Sequence, residues 1–219
     1  MISKGERPLH ALRERGVEYV EVRCMDLDPF EPIGINAPTM RFIDLFLLHC
    51  LLAESPPDTP DEIAALARNQ LRTAARGREP GLKLERGAIE VPLVEWGAEL
   101  IAECAPIAKA LDAAHGSDVY SVALQAAATS LHKAETLPSA RVLDTMVRDF
   151  EGSFTGFGRA QSEQVKDTIM RLPFAPQVHA RIAALARASM QEQQRIEAAD
   201  TMPFEIFRQQ YLDTKRLGA

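Results

Sequence analysis

One short segment constrains this chain most, because it is typical of a β-strand in a sequence that otherwise predicts successive helices. Residues 17–23, Val-Glu-Tyr-Val-Glu-Val-Arg, are rich in strand formers and alternate in polarity. A lone strand leaves its main-chain donors and acceptors unpaired and is not stable in water. The sequence offers no obvious partner strand, since residues 87–94 predict at best a short one. We therefore expect the partner strands to come from outside residues 1–219.

The predicted strand places Glu21 and Arg23 on one face, together with Tyr19. Residues two apart along a strand are roughly 6.5–7 Å from each other, which suits two groups that hold different parts of one ligand. Flexible side chains can still meet across that distance. The alternative is an ordinary solvated charge pair, since charged side chains are mostly exposed.

The rest of the sequence predicts helices joined by loops. Helical spacing and capping residues place them at about 11–16, 38–53, 59–77, 95–114, 117–133, 138–147, 159–171, 176–199 and 203–211. Pro106 is expected to kink or divide the fourth helix, and Ser117 to cap the fifth. Residues 26–32 predict an extended loop and residues 78–92 an irregular one. Residues 152–158 lack the ending of a phosphate-binding loop and predict a turn between helices.

The apolar residues of the second predicted helix surround it, so we expect burial on most sides. Cys50 and Cys104 fall on apolar helix faces and are expected in the core. They and Cys24 show no metal-binding or disulfide spacing and are read as reduced thiols.

Composition and charge narrow the class of protein. Hydrophobic residues make up 46% of the chain and charged residues 26%, which is ordinary for a globular protein. The net charge of −6 argues against nucleic-acid binding. We find no signal peptide or membrane-spanning stretch, and a cytoplasmic location is expected.

Several sequence blocks together resemble a known enzyme family. The run ALRERGVEYVEVRCMDLDPFEPIGI, followed by RFIDLF, is the most specific, and three further blocks follow in order: residues 77–82, 139–143 and 197–204. This pattern resembles glutamate–cysteine ligase of the proteobacterial type, over nearly the whole chain but only over the carboxy-terminal part of that enzyme. The resemblance implies a mainly α fold with one or two β-strands, as the carboxy-terminal part of the α+β, glutamine-synthetase-like carboxylate–amine ligase fold. It assigns residues 1–35 to a helix–strand–loop segment of the active-site sheet and residues 36–219 to a helical region.

The family reaction implied by this resemblance joins L-cysteine to the γ-carboxylate of L-glutamate through γ-glutamyl phosphate, with ATP and Mg²⁺. In it Glu21 matches a metal ligand and Arg23 the arginine that holds the transferred phosphate. Tyr19 lines the site or packs against a neighbouring strand. Three more residues match the pattern around the second block, as ligand contacts or as loop anchors: Asn69, Arg72 and Arg78.

The resemblance leaves the amino-terminal ligase half unaccounted for. We therefore expect an incomplete or split ligase that needs that half as a partner. The alternative is a non-catalytic helical interaction module derived from the ligase. A helical regulatory protein unrelated to the ligase is disfavoured by the order of the blocks.

Overall fold

The computed structural model describes residues 7–23 and 25–212. The chain divides into two compact units, one drawn from Met1–Met25 and Leu172–Ala219 and the other from Asp26–Arg171. The elements are α1 (Pro8–Arg15), α2 (Ala37–Leu52), α3 (Pro60–Arg76), β1 (Lys83–Arg86), β2 (Ile89–Pro92), α4 (Leu93–His115), α5 (Val119–His132), α6 (Pro138–Phe150), α7 (Phe154–Arg171), α8 (Pro176–Ala199) and α9 (Phe204–Leu212). The predicted fold class, mainly helical with one or two strands, is confirmed.

The core of the second unit lies among α2, α4 and α5. Its buried residues are Leu45, Cys104, Ala108 and Leu124. Gly97 allows α4 to approach α5, because a Cβ at that position would lie 2.8 Å from Leu131 Cδ1. One continuous helix runs through Pro106, so of the two expected effects, a kink or a division, the division does not occur.

Helix α2 is less buried than its sequence predicts. Leu45 is fully buried, whereas Leu51 and Leu52 are 77% and 72% exposed. Cys50 is also exposed, so its expected place in the core is wrong, while that of Cys104 is confirmed. Apolar residues around a helix show which sides it can bury, but the number of neighbouring elements decides how many sides it does bury.

A β-hairpin occupies part of the stretch predicted to be irregular. Strands β1 and β2 pair antiparallel, with Arg86 opposite Ile89. The two-residue connection begins with Gly87, whose φ of +62° suits a glycine at the first position of a type II′ hairpin turn. The irregular-loop prediction for residues 78–92 is therefore wrong over both strands.

The segment predicted as the key strand joins no sheet in the described part of the chain. Helix α1 ends at Gly16 as expected, and residues 17–23 then have no regular secondary structure. The side chains of Val17, Tyr19 and Val20 are exposed. Strand propensity is realised only when a second backbone supplies the ladder hydrogen bonds, and the described residues supply none to this segment.

Residues 26–36, here called the exit loop, fold back on themselves, whereas the sequence predicts an extended loop over residues 26–32. The Asp28 N–H donates to the Gly34 carbonyl at 2.9 Å, and the Gly34 N–H donates to the Glu31 carbonyl at 3.0 Å. Gly34 has a φ of +76°, a conformation that favours glycine. Asn36 ends the loop and caps α2 by accepting a hydrogen bond from the Thr39 N–H.

Two helix starts show how local and distant residues supply the caps. Thr59 caps α3 as predicted, accepting from the Glu62 N–H at 3.2 Å. At α5 the predicted cap, Ser117, is replaced by the Asp112 carboxylate of α4, which accepts from the N–H groups of Tyr120 and Ser121 at 2.8 and 2.9 Å.

The glycine-rich stretch before α7 is partly helical. Residues 151–153 make the predicted turn between helices, and α7 then begins at Phe154, earlier than the sequence suggested. Among the helices of the described chain, none has the length and apolar character needed to cross a membrane.

Candidate functional site

Glu21 and Arg23 meet on the segment after α1. Arg23 Nη2 donates to Glu21 Oε2 at 2.8 Å, so the side chains close the distance that their positions leave. The side chains of Glu21 and Arg23 are 54% and 76% exposed. An exposed ion pair of this kind contributes little to stability because water screens it. Because both side chains are more than half exposed, both groups are accessible to a ligand.

Tyr19 lies on the same segment and is 75% exposed. Its side chain is not packed against a neighbouring strand in the described structure. The three side chains together offer a carboxylate, a guanidinium and an aromatic ring on one short stretch of chain.

A hard cation such as Mg²⁺ takes oxygen ligands and usually keeps waters and phosphate oxygens as well. The Glu21 carboxylate fits as one such ligand. In the described part of the chain, no group of three or more His, Cys, Asp or Glu side chains is placed to hold a metal ion.

Asn69 anchors the hairpin to α3. It is buried in α3, where its Nδ2 donates to the Glu85 carbonyl at 2.7 Å and its Oδ1 accepts from the Glu85 N–H at 2.8 Å. The side-chain amide thus pairs with β1 as a neighbouring strand would. This geometry supports the anchoring role, one of the two that the sequence leaves open.

Arg72 also anchors the hairpin to α3. Its Nη1 donates to the Lys83 carbonyl at 3.0 Å, and its Nη2 lies 3.0 Å from Glu85 Oε1. Arg68 Nη2 approaches the other Glu85 oxygen at 2.6 Å. The hydrogen bond from Arg68 lowers the pKa of Glu85. Arg78 is exposed and stands apart from this network, so the described structure does not assign it a role.

A second cluster, which sequence reasoning missed, joins the exit loop to α6. Arg141 Nη1 lies 3.0 Å from Asp28 Oδ2, and the Arg141 guanidinium carbon lies 4.1 Å from the centre of the Phe30 ring. Phe30 in turn contacts the buried Phe157, with ring centres 5.8 Å apart. Arg141 belongs to the block 139–143, and Asp28 and Phe30 belong to the first block. The sequence showed that these residues belong to matching blocks, but no local pattern indicated that the two blocks contact each other.

The fold matches a solved ligase. A crystal structure of glutamate–cysteine ligase from Francisella tularensis in complex with AMP superimposes with a TM-score of 0.86 and 28% sequence identity. The match covers 99% of this chain and 42% of the ligase chain. The fold is thus a mainly helical portion of a carboxylate–amine ligase fold.

Sequence comparisons make the relationship more specific. The family profile described as glutamate-cysteine ligase matches residues 1–73. The glutamate–cysteine ligases of Pseudomonas fluorescens (strain Pf0-1) and Azotobacter vinelandii are each 41% identical, over 93% and 94% of this chain. The chain is related to a part of glutamate–cysteine ligase, and the resemblance carried by the sequence blocks is confirmed. The chain spans 38% of the length of each of these two relatives.

Proposed function

We propose that this chain supplies one part of an ATP-dependent glutamate–cysteine ligase and works with a polypeptide equivalent to the remaining part. The observation that carries the proposal is the pair Glu21 and Arg23, exposed on a strand-forming segment of a chain 41% identical to such ligases. An exposed pair on a segment that joins no sheet in the described part of the chain is what one side of a shared site presents.

The reaction proposed has two chemical steps. The γ-carboxylate of L-glutamate attacks the γ-phosphorus of ATP, forming γ-glutamyl phosphate and releasing ADP. The amine of L-cysteine then attacks the γ-carbonyl carbon and loses a proton, the amide bond forms, and inorganic phosphate leaves. Catalysis of phosphoryl transfer depends mostly on positioning and on neutralising charge at the phosphate oxygens.

Arg23 is suited to neutralising charge at the phosphate oxygens. Its planar guanidinium matches two oxygens of a phosphate at once and stays charged at any working pH. The Glu21 carboxylate both orients Arg23 through the 2.8 Å contact and offers oxygen to a metal ion. Bound Mg²⁺ would supply charge neutralisation at the triphosphate. Tyr19 stands beside them as a proposed substrate contact, with Arg78 a further one.

Residues 17–23 are proposed to pair with a sheet edge of the complementing polypeptide, which would complete the assignment of residues 1–35 to an active-site sheet. Pairing by main-chain hydrogen bonds is a common way for an extended segment to join a partner. It would also fix the alternation that places Tyr19, Glu21 and Arg23 on one face.

The test is reconstitution. Residues 1–219 are co-expressed with the part of the Pseudomonas fluorescens ligase that this chain does not match, and γ-glutamylcysteine is measured with L-glutamate, L-cysteine, ATP and Mg²⁺. We expect product from the pair and little from either part alone. Clear turnover by the chain alone would show that it needs no partner. Absence of product from a pair that co-purifies would favour the non-catalytic interaction module.

The site assignment is tested in the same pair. Glu21→Gln and Arg23→Ala are expected to abolish product formation while leaving co-purification intact. Glu14→Gln, at an exposed position of α1, is the matched control and should retain activity. If the two site variants remain as active as the control, Glu21 and Arg23 have no part in the chemistry.

A further inference from the structure

Helix α3 packs on the hairpin with its polar side. Its two buried residues, Ala65 and Asn69, are four positions apart and so share one side of the helix. The same side carries Arg68 and Arg72, which both pair with Glu85 of β1. The contact between α3 and the hairpin is therefore made largely by hydrogen bonds and ion pairs.

The opposite side of α3 is apolar and exposed. Ile63, Leu66 and Leu71 are 55%, 49% and 72% exposed, and Ala67 and Ala74 extend the same side. Their spacing is that of one stripe along a helix, here called the α3 face. A surface helix normally turns such a stripe towards the core of its own domain. In α3 the polar side is packed and the apolar side is open.

The α3 face has the layout of an interaction surface. Single exposed apolar residues are normal on a protein, but a continuous apolar stripe marks a place where something binds. The stripe is bounded by charge, with Asp61 and Glu62 in the first turn of α3 and Arg76 in the last. An apolar centre with a polar rim is typical of protein–protein interfaces.

Two observations favour the complementing ligase polypeptide as the occupant over a second copy of this chain. The family profile matches residues 1–73, which contain both residues 17–23 and the three large side chains of the α3 face. The chain also spans only 38% of the length of its relatives, so the larger part of such a ligase is available to cover the face.

The size of the α3 face points the same way. A stable interface takes roughly 20–30 residues on each side. One stripe along a single helix falls well short of that number, so two copies meeting through it alone would bind weakly. The complementing polypeptide has a further proposed contact at residues 17–23, and the α3 face needs to supply only part of its interface.

We infer that the α3 face is a docking surface for the complementing ligase polypeptide, which covers Ile63, Leu66 and Leu71 with apolar side chains of its own. The inference rests on the proposed function, from which it takes the partner. It adds a contact made by side chains to the main-chain pairing proposed for residues 17–23. Burial of apolar surface is the main favourable term in protein association, so this contact contributes to the affinity of the pair.

The experiment uses the co-expressed pair, with Leu66→Asp or Leu66→Met in residues 1–219. Val122→Asp is the matched control, since Val122 is 55% exposed on α5 of the same compact unit. Three quantities are measured: the dissociation constant of the purified pair, hydrogen exchange of peptides covering residues 60–76 in the pair and in the chain alone, and self-association of the chain alone by sedimentation. Thermal midpoints show whether each variant retains its fold.

We expect the unchanged pair to exchange the α3 amides about tenfold more slowly than the chain alone. Leu66→Asp should raise the dissociation constant roughly 10- to 100-fold, because a charge would be buried against apolar side chains. Leu66→Met keeps an apolar side chain of similar volume and should change it less than about threefold. Val122→Asp should leave it unchanged. All three variants should keep the thermal midpoint, since the hairpin is held by the other side of α3.

Four results would overturn the inference. In the first, a pair that forms product binds as tightly with Leu66→Asp as with Val122→Asp, and the proposed function then stands without the α3 face. In the second, exchange over residues 60–76 is the same in the pair and in the chain alone. In the third, the chain alone forms a dimer that Leu66→Asp disrupts, so a second copy is the occupant. In the fourth, the two polypeptides do not co-purify, which removes the partner itself.

The docking surface and the proposed chemistry can fail separately. A pair that Leu66→Asp weakens but that forms no product would refute the ligase reaction and support the α3 face as a docking surface. If Leu66→Asp lowers the thermal midpoint strongly, Ile63→Asp on the same stripe decides by the same criteria.

Discussion

Asn69 completes both main-chain hydrogen bonds of Glu85, donating to its carbonyl at 2.7 Å and accepting from its N–H at 2.8 Å. A single buried amide on α3 therefore takes the place of a third strand beside the hairpin. Replacing Asn69 by alanine leaves both groups of Glu85 without this partner. We expect a loss of about 1–3 kcal/mol in the free energy of unfolding, measured by urea denaturation.

Gln70, the exposed neighbour of Asn69, provides the comparison for that variant. Gln70→Ala should change the unfolding free energy by no more than about 0.5 kcal/mol. Equal effects at the two positions would mean that the hairpin does not depend on Asn69.

The Asp112 carboxylate makes stability depend on acidity. Burial raises the pKa of Asp112, but hydrogen bonds from Ser121 and Tyr120, with His115 nearby, outweigh it and leave the pKa lowered. Because the folded-state pKa lies below the unfolded-state value, this contribution is fully present above the unfolded pKa. It is lost as pH falls from that value through the folded pKa. The measurement is the thermal midpoint as a function of pH from neutral to acid.

Asp112→Asn keeps one accepting oxygen and removes the titration. We expect it to lower stability at neutral pH and to flatten the acid-side loss relative to the unchanged chain. Asp167→Asn, at an exposed position of α7, should leave the pH profile as it was. An unchanged acid-side slope in Asp112→Asn would show that the α5 cap is not the titrating contact.

Leu45 and Leu51 test how α2 is packed. Leu45 is fully buried, so its replacement by alanine leaves a cavity and should cost about 2–5 kcal/mol in unfolding free energy. Leu51→Ala on the same helix removes an exposed side chain and should stay within about 0.5 kcal/mol in the chain alone. Similar costs at both positions would mean that α2 buries a different face.

Gly87 and Gly158 lie in different backbone conformations, a hairpin turn and a helix. Gly87→Ala places a side chain at a φ of +62° in the hairpin turn and should cost about 1–3 kcal/mol. Gly158 lies inside α7, where an added Cβ meets nothing within 4 Å, so Gly158→Ala should stabilise by about 0.5–1 kcal/mol. Chemical denaturation of both variants measures the sign of each change in the free energy of unfolding. No change in Gly87→Ala would mean that this turn does not require glycine.

Arg23→Lys separates charge from shape at the proposed site. Lysine keeps the positive charge but cannot hold two phosphate oxygens with one planar group. In the reconstituted pair, kcat should fall about 10- to 100-fold, which is less than for Arg23→Ala. Both variants should unfold at the midpoint of the unchanged chain, because Arg23 is exposed. Full activity in Arg23→Lys would mean that charge alone is needed there.

Features set by neighbouring residues were predictable from the sequence. Thr59 caps α3, Gly116 ends α4 in a left-handed conformation, and Pro176 opens α8, each as local chemistry indicates. The hairpin was missed because its cue is a single glycine at 87. The α5 cap was missed because it comes from Asp112 on another helix rather than from Ser117 in the connection.

Features set by distant residues could not be read locally. The exposure of Cys50 depends on which elements pack against α2, and the contact between Arg141 and Asp28 joins positions 113 apart in the sequence. The grouping of Glu21 with Arg23 was visible, since both lie on one segment. The partners that would complete their site are not in the described chain, so their chemical roles stay predictions.

The segment from Val17 to Val22, which joins no sheet among the described residues, has a consequence for handling the chain by itself. Its valine and tyrosine side chains are exposed and its backbone has no sheet neighbour among the described residues. Such a segment is a template for self-association into intermolecular β-structure. Without its complementing polypeptide the chain should aggregate in a concentration-dependent way, and a lysine introduced at Val20 should act as a gatekeeper that keeps it in solution.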